Sequence, residues 1–256
     1  MDKKYFFFDI DGTITDYKSE KISELTIDTL KRLQEKGHFV AIATGRPYFS
    51  ARYFAKVCRI YHMICEGGNG IVINDELIEY EPLEQDEIKL FLKQAEEAGF
   101  GVAVSTEDND IRYTSNDLFL KQTKVDERYM KVIEDKNFDY MMQDTIRRVF
   151  VSAKKSEEHR LDMRGYGYMR YGDDFLIIEP DDKYKGIEKM MKLIGGDVSQ
   201  VVVFGDGYND RKMFKKAPLK IAMGNAVEEL KEMADFVTHD SDEDGILYAC
   251  EHFGWL

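Results

Sequence analysis

Four short segments hold the side chains with the means to do chemistry. The first is Asp9-Ile10-Asp11-Gly12-Thr13. In extended chain, residues two apart project the same way, so Asp9 and Asp11 can enter one site. Two close carboxylates repel, and the pair divides into an ionised and a protonatable member. An ordinary Asp-Gly turn would read the same. The second, Thr44-Gly45-Arg46, precedes Pro47. Its hydroxyl and amides at a helix N-terminus suit a phosphate oxygen, or serve as a cap and turn. The third, Lys185-Gly186, puts a cation at a helix start, for a phosphate or for solvent; Lys183 stands close by as the other choice. The fourth is Gly205-Asp206-Gly207-Tyr208-Asn209-Asp210. Two carboxylates and an amide are hard oxygen donors suited to Mg²⁺, or make an Asx-Gly turn. No G-x-x-x-x-G-K-[ST] loop occurs.

These segments sit at the ends of elements that would have to position them. Tyr5 to Ile10 is a continuous apolar run rich in aromatics, which predicts a fully buried strand. Ile22, Leu25, Ile27, Leu30 and Leu33 recur at near-helical spacing before Gly37. Phe39 to Ala43 predicts a second strand, Pro47 to Arg59 a helix, and His62 to Cys65 a third strand. Near the C-terminus, helices are expected at Lys185 to Ile194 and Asp210 to Lys216, and strands at Val201 to Phe204, Lys220 to Met223 and Phe236 to Thr238. Asn225 would cap a helix through Ala234. Alternating strands and helices predict a parallel sheet covered on both faces, with ligands at the strands' carboxyl ends.

The middle reads differently. A helix at Gln85 to Ala98 precedes a hairpin of Val102 to Ser105 and Ile111 to Thr114. Strands of mixed polarity follow at Arg147 to Ala153, Tyr166 to Tyr171 and Phe175 to Glu179. This α+β segment, residues 83–181, is expected as a domain inserted into a core formed by residues 1–82 and 182–256. Tyr113, Tyr166, Tyr168 and Tyr171 could form a sugar platform, or pack in the insert's core.

The chain has 256 residues, 36 Lys and Arg against 49 Asp and Glu, and a net charge of -13. The insert carries 15 basic and 22 acidic residues and the remainder 21 and 27, so neither part suits nucleic acid or an anionic membrane. No run approaches the ~20 apolar residues of a membrane span. The N-terminal segment does not read as a signal peptide. Cys58, Cys65 and Cys250 show no paired spacing, which fits a reducing cytoplasm. The five histidines are scattered, without an H-x-x-x-H pair.

In this order, the four segments resemble the haloacid dehalogenase superfamily of phosphohydrolases. Gly68-Asn69-Gly70 with Ile71-Val72-Ile73, then Ala222-Met223-Gly224-Asn225-Ala226 and Glu243-Asp244-Gly245, resemble its Cof-type sugar-phosphatase-like branch. The resemblance implies a Rossmann-like three-layer α/β core and an inserted α+β cap that sets specificity. It also implies a Mg²⁺-dependent phosphatase of small phosphorylated metabolites, foremost hexose phosphates. Asp9 would be the nucleophile that forms an aspartyl-phosphate, and Asp11 the acid and then the base. Asp9, the Asp11 carbonyl and Asp206 would hold the metal, with Asp210 orienting the metal's waters or Lys185. Lys185 and Thr44 would bind the phosphoryl group. Gly45, Arg46, Asn69, Gly70 and Asn209 would lie near the substrate. Other readings are a phosphomutase, or a non-catalytic ligand sensor on the same scaffold. Dehalogenase chemistry is disfavoured, because those relatives lack the second Asp of D-x-D. Nothing in the sequence decides the oligomeric state.

Overall fold

The structure is a computed structural model that describes residues 2–125, 130–163, 165–170 and 172–256; Tyr171 lies outside the described residues. It divides into two compact units, Met1–Tyr80 with Asp181–Leu256, and Glu81–Pro180. The first unit opens with β1 (Tyr5–Phe8), α1 (Glu24–Glu35), β2 (Phe39–Ala43), α2 (Tyr48–Cys58), β3 (His62–Cys65), β4 (Gly70–Ile73) and β5 (Glu76–Tyr80). The second contains α3 (Gln85–Glu97), β6 (Val102–Ser105), β7 (Ile111–Thr114), α4 (Leu118–Gln122), β8 (Lys131–Glu134), β9 (Arg148–Val151), β10 (Tyr168–Met169) and β11 (Leu176–Ile178). The chain then returns to the first unit with α5 (Lys183–Ile194), β12 (Val201–Gly205), α6 (Arg211–Lys216), β13 (Leu219–Ala222), α7 (Glu228–Met233), β14 (Phe236–Val237) and α8 (Gly245–His252).

The first unit is built on an eight-stranded sheet in the order β14-β13-β12-β1-β2-β3-β4-β5. Pairing is parallel from β14 through β3 and antiparallel for β4 and β5. β1 explains why its sequence is apolar without alternation: both of its faces are covered. Phe6 and Phe8 face a core formed with α1, α2 and α8, and Phe7 faces the opposite core under α5, α6 and α7. Helices on both faces make this a three-layer α/β unit. Phe8 packs on Phe204 of β12 with ring centroids 4.6 Å apart, and Phe6 meets Trp255 edge-on at 4.9 Å. The segments after β1, β2, β3 and β12 therefore emerge side by side along one edge.

Glycines let α5 come close to that edge. A Cβ on Gly68, where φ is +113°, would lie 2.1 Å from the Asp182 carbonyl oxygen, and one on Gly186 would lie 2.9 Å from the Gly68 carbonyl oxygen. Gly68→Ala therefore combines a left-handed backbone with overpacking. It is expected to destabilise the fold by about 3 kcal/mol, the upper end for overpacking, read as a lower urea midpoint at unchanged m-value.

The second unit has a six-stranded sheet in the order β10-β11-β9-β6-β7-β8. α3 packs Ile88, Phe91, Leu92 and Ala95 on one face, against Val102, Val104, Val149 and Val151; Phe119 of α4 lies on the other with Ala103, Phe150 and Ile177. Two of the candidate platform aromatics are packing residues. Tyr166 meets Phe91 edge-on at 5.7 Å, and Tyr113 stacks on Phe138 at 5.2 Å.

Two helix starts differ from expectation. α5 begins at Lys183 rather than Lys185, with Asp182 as its cap accepting from the Lys185 amide at 3.1 Å. α7 begins at Glu228 with Val227 as N-cap, so Asn225 caps nothing. Its amide instead donates to the Gly12 carbonyl at 2.8 Å and accepts from the Ser241 amide at 2.8 Å.

Candidate active site

Asp9 continues the ladder beyond β1, its amide donating to the Phe204 carbonyl at 3.1 Å, so its position is set by the sheet itself. The side chain is buried. Lys183 Nζ donates to Asp9 Oδ1 at 2.7 Å and to Asp210 Oδ1 at 2.6 Å. Asp210 is fully buried, and its second oxygen accepts from the amides of Asp206 at 3.0 Å and Gly207 at 3.1 Å. One carboxylate thus orients both the lysine and the loop that carries Asp206. A Cβ on Gly205 would lie 2.6 Å from the Asp210 carboxylate, so glycine at the end of β12 lets that carboxylate fold back.

Asp206 is placed just as tightly. Thr13 Oγ1 donates to its Oδ1 at 3.2 Å, and Asn225 approaches Oδ2 at 3.4 Å. Gly12, at φ +76°, leaves the space: a Cβ there would fall 2.2 Å from Asp206 Oδ2. Asp9, Asp206 and Asp210 each present an oxygen within 4.8 Å of the others. Three carboxylates then share one ammonium. Burial, opposed by Lys183 and reinforced by the neighbouring acids, holds the Asp9 carboxyl well above the ordinary carboxylate range. Burial and then the charge of Asp210 push Asp206 up to about 7. For Lys183, burial works to lower the pKa, but Asp210 and Asp9 outweigh it and hold it above its usual value, so the ammonium stays charged. The excess of buried negative charge, the hard oxygen donors and the glycine-made recess around Asp206 fit a small divalent cation.

Asp11 points elsewhere. Its carboxylate forms a two-pronged pair with Arg46, Nε to Oδ2 at 2.8 Å and Nη2 to Oδ1 at 2.6 Å, and half of its side chain is exposed. Arg46 also lies over the Phe54 ring at 4.7 Å and donates to Ser50 at 3.2 Å. Thr44 is buried at the same sheet edge, and its hydroxyl oxygen accepts from the Arg46 amide at 3.1 Å across Gly45.

The lysine expected in this cluster is Lys185, and the structure corrects it to Lys183. Lys183 is the lysine whose ammonium reaches both Asp9 and Asp210. Two residues along a helix are about 200° around its axis, so the two lysines leave α5 on nearly opposite sides. The signal was in the periodicity. Lys183 shares the buried face of α5 with Ile187 and Met190, whereas Lys185 runs with Glu188, Lys189 and Lys192. Two residues that sequence reasoning did not assign here, Thr13 and Asn225, hold Asp206. The other candidates have local duties. Asn69 closes a turn on Glu66, with its amide 3.2 Å from the Glu66 carbonyl. A Cβ on Gly70 would strike Cys65 Sγ at 2.5 Å, which is a packing reason for that glycine. Asn209 sits against Gly207. Arg211 pairs with Glu229 at 2.8 Å and Lys212 with Asp181 at 2.5 Å, as a solvated helix face does.

The chain resembles known proteins along nearly its whole length. The sequence profile described as haloacid dehalogenase-like hydrolase matches residues 6–250. The chain is 33% identical over the full length of both chains to "Putative phosphatase YkrA" of Bacillus subtilis (strain 168). A protein of Geobacillus kaustophilus HTA426, titled only as hypothetical, superposes with a TM-score of 0.84 at 27% identity, covering all of both chains. The HAD subclass IIB sugar phosphatase BT4131 superposes with a TM-score of 0.77 at 27% identity, over 99% of this chain and 100% of that one.

Proposed function

The chain belongs to the haloacid dehalogenase-like hydrolase family, and from that premise we propose that it is a Mg²⁺-dependent phosphatase of small phosphorylated metabolites, sugar phosphates foremost. The observation that carries this reading is the buried Lys183 ammonium joining Asp9 to Asp210, with Asp206 in the same cluster. The relatives add the substrate class, one being named a putative phosphatase and another a sugar phosphatase. Asp9 is the nucleophile. Its carboxylate oxygen bonds to phosphorus as the bond from phosphorus to the substrate alcohol breaks, and Asp11 gives the departing oxygen its proton. Asp11 then takes a proton from water, whose oxygen attacks phosphorus and breaks the bond to Asp9, releasing phosphate.

The remaining residues steady that sequence. Asp9, Asp206 and the Asp11 carbonyl would hold Mg²⁺, which when bound neutralises phosphate charge as it develops. Lys183 supplies a fixed positive charge beside the reacting oxygen, with Asp210 holding it in place. The Thr44 hydroxyl is set to receive a phosphoryl oxygen, and Gly45, Asn69, Gly70 and Asn209 border the substrate. Arg46 grips the Asp11 carboxylate in two prongs, and that pair has to open before Asp11 can carry the proton it gives. The unit Glu81–Pro180 acts as the cap that selects the leaving group. Cys58, Cys65 and Cys250 are buried thiols, which a reducing cytoplasm would keep as such, and no described helix is long and apolar enough to cross a membrane.

A phosphate-release screen over phosphorylated sugars, polyols and nucleotides, with and without Mg²⁺, tests the reading. Metal-dependent release from a sugar phosphate, without an added bisphosphate, is expected. Release that ignores Mg²⁺ would overturn it. Asp206→Ala is expected to lower kcat at saturating substrate by about 10²–10³-fold, the scale for losing one charge-stabilising group. A wild-type Mg²⁺ titration in that variant would remove Asp206 from the ligand set.

A further inference from the structure

Within the first unit, a second concavity of about 670 Å³ lies away from the carboxylate cluster, between α2 and the strands β3 and β4. Met63, near the start of β3, and Ile60 and Tyr61 just before it form part of the wall. The carboxylate cluster sits beyond the opposite ends of the parallel strands. The volume falls in the range of sites for small organic ligands, roughly 300–1,000 Å³, and is too small for a folded partner.

Its lining combines aromatic rings with cations. Tyr48, Tyr53 and Tyr61 supply aromatic surface, with Tyr53 65% and Tyr61 49% exposed. Arg52 and Lys56, one turn apart on α2, and Arg59, the left-handed residue that ends the helix, line the same space. No carboxylate lies within 4 Å of these three cations among the described residues. In a chain of net charge -13, they gather positive charge in one place. At 1.5 Å per residue Arg52 and Lys56 lie about 6 Å apart along the helix axis, and Arg59 extends the row past the helix end, beyond the span of a lone phosphate. The opposite wall ends at a tight turn where Asn74 and Asp75 both have left-handed backbones, and Tyr48 donates to the Asp75 carbonyl at 3.3 Å. Asp75 is also part of the lining, and its carboxylate offers an acceptor for a hydroxyl or an exocyclic amine.

We propose that this cavity is a second ligand site, separate from the catalytic centre, that takes an aromatic anion of the nucleoside diphosphate class. The tyrosines form the platform for the base, as aromatic rings do for any π-face. Arg52, Lys56 and Arg59 receive the diphosphate through charge-assisted hydrogen bonds.

Equilibrium dialysis with radiolabelled ADP, in EDTA so that the metal-dependent centre is silent, tests the site. Saturable one-to-one binding is expected, unchanged in Asp9→Asn. It should be weakened about tenfold or more in the double variant Arg52→Ala, Lys56→Ala, the loss expected when hydrogen bonds to charged groups are removed. Tyr53→Ala should weaken it as well, and neither adenosine nor pyrophosphate alone should displace ADP at equal concentration. These side chains are exposed and outside the carboxylate cluster, so phosphate release by the double variant should match wild type, which separates this site from the phosphatase reading. Absence of saturable binding up to millimolar ADP would overturn the proposal. So would binding that survives the double variant, or binding lost in Asp9→Asn.

Discussion

Asp9→Asn is expected to abolish phosphate release, by about 10⁴-fold or more, the scale seen when an attacking group is removed. The amide keeps the shape of the carboxylate, and its oxygen can still accept from Lys183, so the loss is chemical and not architectural. Stability makes the distinction measurable. The wild-type carboxyl is buried beside Asp206 and Asp210, with one lysine among the three. Removing one of those charges relieves repulsion, so the thermal midpoint of the metal-free variant should not fall below wild type. The pair of measurements is turnover by phosphate release and unfolding by circular dichroism. Undiminished turnover would sink the assignment of Asp9 as nucleophile. Lost turnover with a collapsed midpoint would mean that Asp9 is needed for the fold instead.

Lys183→Met should cost about 10³-fold or more in turnover, comparable to losing a cationic group at other phosphoryl-transfer sites. It should also cost stability, about 3–5 kcal/mol, because Asp9 and Asp210 are left buried without their counter-charge. Added Mg²⁺ should restore part of the lost midpoint, since a bound cation replaces some of the missing charge. Lys185→Met is the control, expected to lose far less turnover than Lys183→Met, since Lys185 lies on the other side of α5 from Asp9 and Asp210. If the two variants exchanged behaviour, the cluster geometry around Lys183 would not be the catalytic one.

That pair of lysines shows how far the sequence can be read. Buried parallel strands were legible because both faces demand apolar residues: Phe39–Ala43 and His62–Cys65 coincide with the apolar runs. Their ends were legible because Asp, Thr and Gly interrupt those runs, which brought Asp9, Thr44 and Asp206 to attention together. The choice between Lys183 and Lys185 turned on a neighbouring glycine, whereas the helical period of α5 would have put Lys183 on the apolar side. Gly186 is there for Gly68, a contact between segments far apart in the chain that no local pattern reveals. The same holds for Arg46 with Asp11, and for Asn225, whose local look as a helix cap hid a tie between Gly12 and Ser241. The β4–β5 hairpin escaped notice because β5 is an edge strand with Leu77 and Ile78 exposed, so it lacks the apolar continuity of the centre.

The central place of β1 has a consequence for how the chain is made. β1 lies between β2, which follows it closely, and β12, which begins only at Val201. At roughly 5–20 residues per second, ribosomal synthesis leaves the second edge of β1 open for about 10–40 seconds. During that interval the most phenylalanine-rich strand of the protein has an unsatisfied backbone edge, the sort that pairs with strangers. The unit Glu81–Pro180, whose sheet draws on no strand outside itself, can fold in the meantime. Asp9 therefore meets the other members of its cluster only late in synthesis, when Lys183, Asp206 and Asp210 emerge. A polypeptide cut short before Val201 would carry Asp9 without Asp206 and Asp210, and would expose a strand prone to aggregation.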